Sequence, residues 1–542
     1  MWSIHYQLSK AANIIYFLLM LLLFCSTIYA QQTYNLQVIW ERGVVDSLYY
    51  YYGFDLGSGD FNGDGFSDIV IQSALLPYPG IDRAEIFYGG LQFDTIPDII
   101  IQSDTSWGFI RTKGIGDING DGFDDLGLGS QLGVPAAYGS VYIYLGGNPM
   151  DTICDYHIVG EGGSFGQAVG SGDVNGDGYS DLIVGAYLAR VNGGHIGPGR
   201  VYIYFGGPNF NTIPDVILNG GHCNDLEGFG STVAGGGDVN GDGISDVIVG
   251  AGNFGNIIQG RIYIYFGGNP MDTSYDVAMS GEGTWHQLGF FGLDFLTNRT
   301  DYDHAMASTP FGGFGYERGK IYVLFGRPNM DSIPDVSIVG RFDTCGLGMS
   351  ICNAGFTSRI DASDLFAGAP WEYGYRGSAY FWLGWNLLDT IPDGFLRGMN
   401  ENDVVGYVVA GAGDVDGDGK DEIMVSNYPT MGESAHMRVW VCKYTSVGIE
   451  ERLTPNAKRL TLQVSPNPVR SLLSISCPFV VKEMKIYDIS GKIVKEIASP
   501  STRNDNGPEI KVSLKGIATG IYFVELTTEQ EDKTIAKILV VK

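Results

Sequence analysis

The sequence predicts an all-β chain, a seven-bladed β-propeller followed by a small β-sandwich. Three observations predict it. A nine-residue pattern, D-x-[ND]-G-D-G-x-x-[DE], occurs five times, beginning at Asp60, Asp117, Asp173, Asp238 and Asp414. Further landmarks recur in phase with it, six or seven times each. The charge then changes character: residues 31–446 hold 18 basic and 50 acidic side chains, whereas residues 461–542 hold 11 and 9. With 80 glycines, 44% hydrophobic residues and only 17% charged ones, the composition suits turn-rich strands and argues against disorder. The boundaries read as a leader at 1–30, the propeller at 31–446, a linker at 447–460 and the terminal domain at 461–542.

The leader comes first. Lys10 precedes an apolar run from Ile14 to Cys25, followed by Ser-Thr-Ile-Tyr-Ala30. This is the layout of a signal peptide cut after Ala30. The run is short of the ~20 residues that a membrane span requires. No later stretch is long and apolar enough, so the mature chain is expected to be exported without a transmembrane segment. The net charge of −28 argues against nucleic acid as a partner, since phosphate contacts need a basic face. The cysteines are too sparse for a disulfide scaffold, and no C-x-x-C pair suggests zinc. Cys345 and Cys352 are near enough in sequence to pair, or to remain buried thiols.

The nine-residue pattern carries the chemistry. Oxygen side chains fall at positions 1, 3, 5 and 9: Asp60, Asn62, Asp64 and Asp68; Asp117, Asn119, Asp121 and Asp125; Asp173, Asn175, Asp177 and Asp181; Asp238, Asn240, Asp242 and Asp246; Asp414, Asp416, Asp418 and Glu422. Glycines at positions 4 and 6 allow the positive φ that a tight curl needs. The curl gathers carboxylates, which is unfavourable unless a cation sits among them. An all-oxygen donor set favours Ca²⁺, at about five sites, over Mg²⁺, which prefers a smaller octahedral shell with several waters. An EF-hand is excluded, because it needs a bidentate Glu at position 12 and flanking helices. Here the acid stands at position 9, and strand-like Ile-Val-Ile or Leu-Ile-Val follows.

The loop starts are spaced by 57, 56 and 65 residues over the first four copies. A strand ending in Gly-Gly recurs at Val141–Gly147, Val201–Gly207 and Ile262–Gly268, with poorer versions at Glu85–Gly90, Ile321–Gly326, Ala379–Gly384 and Arg438–Tyr444. A large apolar residue plus Gly precedes each loop position: Tyr52-Gly53, Trp107-Gly108, Phe165-Gly166, Phe229-Gly230, Leu288-Gly289, Leu347-Gly348 and Val405-Gly406. An Asp-Thr-Ile-Pro-Asp-like segment starts at Asp94, Asp151, Asn211, Asp272, Asp331 and Asp389. Each unit therefore reads strand, loop, strand, long loop, strand, turn, strand, which is the length and content of a propeller blade. Six inter-blade segments leave one outer strand missing, and Tyr34–Trp40 is placed to supply it and close the ring. Units five and six, near Asp294 and at Phe356–Asp364, have lost the acidic pattern and should lack a strong metal site.

These units resemble FG-GAP repeats, as in the N-terminal β-propeller of integrin α chains. The resemblance rests on the Phe-Gly pairs at 165–166 and 229–230, the acidic loops, and Gly-Ala-Pro at 368–370. It implies Ca²⁺ ligation through side chains 1, 3, 5 and 9 plus the carbonyl at position 7. That adds Phe66, Phe123, Tyr179, Ile244 and Lys420 to the implied ligand set. The fifth copy departs, because Asp421 stands beside Glu422 and either could serve. No Arg-Gly-Asp and no inserted domain of the integrin type are present.

After the linker, Leu462-Gln-Val-Ser-Pro-Asn-Pro468, Met484–Gly491, Lys492–Ile497, Gly520–Leu526 and Ile535–Val541 read as extended segments and turns of a small Ig-like β-sandwich. This part is similar to the type A C-terminal sorting domain of type IX secretion. Ser-Pro-Asn-Pro at 465–468, Ile-Tyr-Asp-x-x-Gly at 486–491, Gly-Ile-Tyr-Phe-Val at 520–524 and terminal Lys542 carry the likeness. The resemblance implies an interaction with a secretion machinery and passage across a Gram-negative outer membrane to a secreted or cell-surface location.

Two function classes remain. The favoured one is a calcium-binding adhesion or ligand-binding module for an extracellular protein or glycan. Its loops Leu188–Arg200, Asn253–Gly260 and Pro370–Gly377 form one face, with Tyr187, Trp371, Tyr373 and Tyr375 as candidate contacts. The other is a hydrolase acting on polysaccharide or phosphodiester from the same face. Gly162-Gly-Ser164-Phe-Gly166 satisfies G-x-S-x-G literally, but it leads into a strand where a nucleophile elbow needs a helix. The histidines recur in no pattern, and His195 and His222 fall in long loops.

Overall fold

The computed structural model describes residues 32–445 apart from 35, 45–48, 76–80, 92, 104–110, 131–137, 191–196, 222–225, 300–301, 312–317, 359–361, 385–390 and 429–436. Beyond these it describes strands between 463 and 540. The leader 1–30 and the linker 447–460 lie outside the described residues, as do His195 and His222. The chain divides into one unit through Tyr444 and a second from Thr445 to Lys542.

The first unit is a seven-bladed β-propeller. Blade three shows the plan. Strands Ala168–Gly172, Asp181–Ala186, Arg200–Tyr204 and Val216–Asn219 pair antiparallel in chain order, from the inside of the ring outward. The innermost strands of the others are Tyr49–Gly59, Arg111–Gly116, Phe229–Gly237, Leu293–Leu296, Ile351–Asn353 and Val405–Gly413. Antiparallel order puts the connections between first and second strands on one face of the ring. The connections between second and third strands come out on the opposite face.

The packing explains why the second strands read as continuous apolar runs. Every residue of Asp181–Ala186 is buried. Side chains alternate along a strand, and both sides of this one meet a neighbouring blade. Leu182 and Val184 join the core shared with blade two, whereas Ile183 joins the core shared with blade four. Among the described residues there are seven such apolar clusters, and each spans the boundary between two adjacent blades. Among the described residues every apolar cluster is of this kind, so the stability lies in these interfaces.

Two N-terminal strands close the ring, β1 (Gln32–Tyr34) and β2 (Leu36–Val44). β2 is the outermost strand of blade seven and pairs antiparallel with Met437–Tyr444. The sequence-based closure through Tyr34–Trp40 is thus realised from Leu36 onward and extended to Val44, whereas Tyr34 pairs with Phe395 of blade six. β1 was not foreseen as a separate element: it adds a fifth strand to blade six by pairing with Gly394–Arg397. The start of the chain therefore spans two blades.

The markers are backbone-satisfying devices. Phe165, Phe229, Leu288 and Val405 make parallel bridges to Gly139, Gly199, Gly260 and Gly377 of the preceding blade. The last Asp of the Asp-Thr-Ile-Pro-Asp segment accepts a main-chain N–H from the end of the third strand, for example Asp98 from Tyr88 and Asp215 from Phe205, both at 2.8 Å. Cys345 and Cys352 are both buried and unpaired, so the second of their two expected states holds. The second unit contains two four-stranded antiparallel sheets, with Met484 and Ile486 fully buried.

Candidate metal centres

Each acidic pattern forms the connection between the first and second strand of its blade, so all five lie on one face. The curl is held by the side chains themselves. In blade one, Asp60 Oδ1 accepts the Asp64 N–H at 3.1 Å and Oδ2 accepts the Gly65 N–H at 3.0 Å. Asn62 Oδ1 accepts the Asp64 N–H at 2.9 Å, and Asp64 Oδ1 accepts the Phe66 N–H at 2.9 Å. The same bonds recur around Asp117, Asp173, Asp238 and Asp414. Positions 1, 3 and 5 are therefore pre-oriented by backbone amides around one small loop.

Position 9 is different. Asp68, Asp125, Asp181 and Asp246 are fully buried. One oxygen of each accepts the N–H of position 2: Phe61, Ile118, Val174 and Val239. The other accepts the first glycine N–H at the end of the third strand: Gly89, Gly146, Gly206 and Gly267. A carboxylate has about four acceptor sites, so these bonds leave lone pairs for a cation. Burial pushes each of these acids up to about 7; the backbone N–H bonds oppose the shift and the carboxylates at positions 1 and 5 add to it.

Position 7 does more than offer a carbonyl. Its side chain lies over the position 4 glycine of the preceding blade: Phe123 over Gly63, Tyr179 over Gly120, Ile244 over Gly176 and Phe66 over Gly417. The loops are also laced by the main chain. The position 8 N–H donates to the position 1 carbonyl of the preceding blade, from Ser67 to Asp414, Asp124 to Asp60, Ser180 to Asp117 and Ser245 to Asp173. Asp124 and Asp303 return the contact by accepting the N–H of Asp60 and Asp238, each at 2.9 Å. None of this lacing was legible as a motif.

Blade seven separates Asp421 from Glu422. Glu422 takes position 9: it is fully buried and accepts the Val415 N–H at 3.0 Å. Asp421 turns away and accepts the Phe356 N–H of blade six at 2.5 Å. Lys420 is exposed, and its N–H donates to Asp418 at 3.0 Å. Asp414, Asp416 and Glu422 bring carboxylate oxygens within 4.8 Å of one another. Glu422 Oε1 is buried and accepts no hydrogen bond among the described residues. Burial, and next the Asp416 carboxylate, push Glu422 up to about 8. Clustered carboxylates and an orphaned buried oxygen fit a hard divalent cation, which would supply the missing positive charge.

In blade five His304 stands at position 9, and its Nδ1 accepts the Gly326 N–H at 3.1 Å. In blade six Asp364 accepts the Gly384 N–H at 2.5 Å. Both keep the strand tie without the carboxylates of positions 1, 3 and 5.

On the opposite face, Trp371 stacks on Phe311 with ring centroids 5.4 Å apart, which is packing rather than presentation. Tyr373 and Tyr375 are exposed, and both hold left-handed backbone, at φ 52° and 64°. Tyr187 is half-buried. Ser164, at φ 60°, precedes the strand Ala168–Gly172 and not a helix.

Comparison with known proteins agrees with this architecture. The FG-GAP repeat model matches residues 165–204 and 229–265, running from the Phe-Gly pair to the third strand of blades three and four. The secretion system C-terminal sorting domain model matches residues 463–542. The chain is 31% identical over 232 residues to integrin alpha-5 of Xenopus laevis, covering 41% of this chain and 21% of that protein. It is 31% identical over 241 residues to integrin alpha-8 of Gallus gallus, covering 41% and 22%. It is also 30% identical over 224 residues to phosphatidylinositol-glycan-specific phospholipase D of Bos taurus, covering 38% and 26%. The aligned part spans about a fifth of the length of the integrin relatives and a quarter of the phospholipase. The chain thus carries FG-GAP repeats in a seven-bladed propeller like that of integrin α chains, and it ends in a secretion-system sorting domain.

Proposed function

We propose that this is a secreted or surface-displayed calcium-binding propeller that presents an extracellular protein or glycan ligand from the face opposite its acidic loops. The observation that carries the reading is the lacing of five carboxylate loops around one face. An ion in each loop would stiffen two blades at once, because position 8 of one loop holds position 1 of the loop before it. The other face is left to longer loops with exposed Tyr373 and Tyr375. The ligand set is that of the resemblance, positions 1, 3, 5, 7 and 9, with Ca²⁺ preferred over Mg²⁺. Export begins with the leader at 1–30 and uses the sorting domain, whose match supports a secreted or surface location.

A hydrolase is the second reading, and the likeness to the phospholipase favours it, since that protein's name is that of an enzyme acting on phosphatidylinositol-glycan. A glycan array with and without chelator, run beside a hydrolysis screen, separates the two. Retention of a ligand that is lost on chelation supports the binding module. Turnover without stable binding overturns it in favour of the enzyme.

A further inference from the structure

The loop of blade seven differs from the other four in two linked ways. Position 3 is Asp416, where the others have Asn62, Asn119, Asn175 and Asn240. The loop therefore carries four carboxylates, Asp414, Asp416, Asp418 and Glu422, where each of the others carries three. The second difference comes from a distant strand. Ile423 pairs with Cys442, so the next residue, Lys443, stands at the end of the third strand. The same register puts Tyr88, Leu145, Phe205 and Phe266 at that place in blades one to four. A cation stands there in place of an aromatic or aliphatic residue, in the same blade that holds the extra carboxylate.

The ammonium is already engaged. Lys443 Nζ lies 2.9 Å from Asp416 Oδ2 and also bonds Asp418 Oδ2. These are positions 3 and 5 of the ligand set. The side chain is largely covered, with 22% of its surface exposed. Its bonds leave the buried Glu422 Oε1 without a partner, so the ammonium answers part of the loop's charge and not all of it. A divalent ion entering here must break two charge-assisted bonds that have no counterpart in the other four loops among the described residues.

We infer that Lys443 is a tethered cation that competes with divalent metal for Asp416 and Asp418, which makes blade seven the weakest of the five calcium loops. This rests on the calcium reading above. It assigns the fifth loop a partly neutralised state of its own, one that persists when calcium is scarce. The loop at the seam of the ring then keeps its shape while the other four empty.

The test is calcium titration of the full chain by calorimetry, for the native sequence, Lys443→Met and Asp418→Ala. The native chain should show one event at a higher calcium concentration than the rest. Asp418→Ala should remove that event and leave the others. Lys443→Met should move it to lower calcium by roughly tenfold, the effect of losing about 1.4 kcal/mol of competing interaction. The same substitution should lower the melting temperature in chelator yet enlarge the rise that calcium produces, an opposition that a merely structural lysine would not give. If Lys443→Met does not fold, Asp416→Asn tests the same point: it weakens the grip of the ammonium and should also narrow the gap between the events. Calcium bound by the other loops with an unchanged weak event in Lys443→Met and Asp416→Asn overturns this inference alone. No calcium at any loop overturns the calcium reading and the inference with it.

Discussion

His304 Nδ1 accepts the Gly326 N–H at 3.1 Å, in the place where Asp181 Oδ1 accepts the Gly206 N–H at 2.8 Å in blade three. A blade without the acidic loop thus keeps the bond that pins its third strand. Position 9 is first a strand clamp and then a prospective metal ligand, whereas in blade three the side chains of positions 1, 3 and 5 bond amides of their own loop.

That division can be measured. Asp181→Ala removes the acceptor for two amides, Val174 and Gly206, at a fully buried site. It should cost about 3 kcal/mol even in chelator, since each buried donor left unsatisfied costs about 1–3 kcal/mol. Asp177→Ala acts on an exposed loop position and should cost under about 1 kcal/mol in chelator while removing one bound calcium. Urea melts in chelator and elemental analysis of the dialysed protein check both. Equal losses of stability from the two substitutions would contradict the division of roles.

The blade interface makes a second prediction. Gly120 has φ +82°, and a Cβ there would lie 2.3 Å from a Tyr179 ring carbon. Gly120→Ala therefore meets two separate penalties: about 1–2 kcal/mol for left-handed backbone, and the displacement of Tyr179. Adding Tyr179→Ala should return the second part and not the first. A double-mutant cycle on chemical denaturation reads the coupling between them; strict additivity would mean that the ring does not press on the glycine.

The blade count was legible because three markers recur in phase, and they do backbone work in the units where the structure describes them. Asp98 and Phe229 are examples, the one capping a third strand and the other bridging to the blade before. The acidic loops were legible because their curl is local: Asp60 is bonded by residues four and five places on. What was not legible depends on partners far along the chain. A three-residue strand such as Gln32–Tyr34 has no periodicity to read, and its register comes from blade six. His304 replaces a carboxylate by an acceptor of another type, so no pattern search for acids finds it. The aim of Asp421 toward Phe356 was undecidable from two adjacent acids, because only the neighbouring blade distinguishes them.

Ring closure gives a third prediction. β2 belongs to blade seven, yet Arg42 reaches blade one, where its guanidinium lies 2.9 Å from buried Glu85 and 4.9 Å from the Phe87 ring. Trp40 Nε1 donates to the Asp94 carbonyl at 2.7 Å across the same seam. Arg42→Met should cost about 3 kcal/mol, the range for breaking a buried ion pair from one side. Deleting residues 31–42 should lower the melting temperature further, because it also uncovers the outer edges of blades six and seven. An unchanged melting temperature in the deletion would rule out the closure.

The fourth prediction concerns alkaline pH. Burial raises Tyr88 to about 12 and raises Tyr204, Tyr263, Tyr265 and Tyr380 further. For Tyr263 the bond to Glu227, and for Tyr380 the charge of Glu372 and the bond to it, add to that shift, because a phenolate cannot donate to a carboxylate. In the unfolded chain these phenols ionise near pH 10. A folded value above the unfolded one means stability that is fully present below about pH 10 and lost as pH rises toward the folded values. The β-sheet circular dichroism should therefore persist through pH 10. The buried set should ionise only at higher pH, together with collapse of that signal. Complete ionisation near pH 10 with the sheet signal intact would show that these third-strand phenols are not held between the blades.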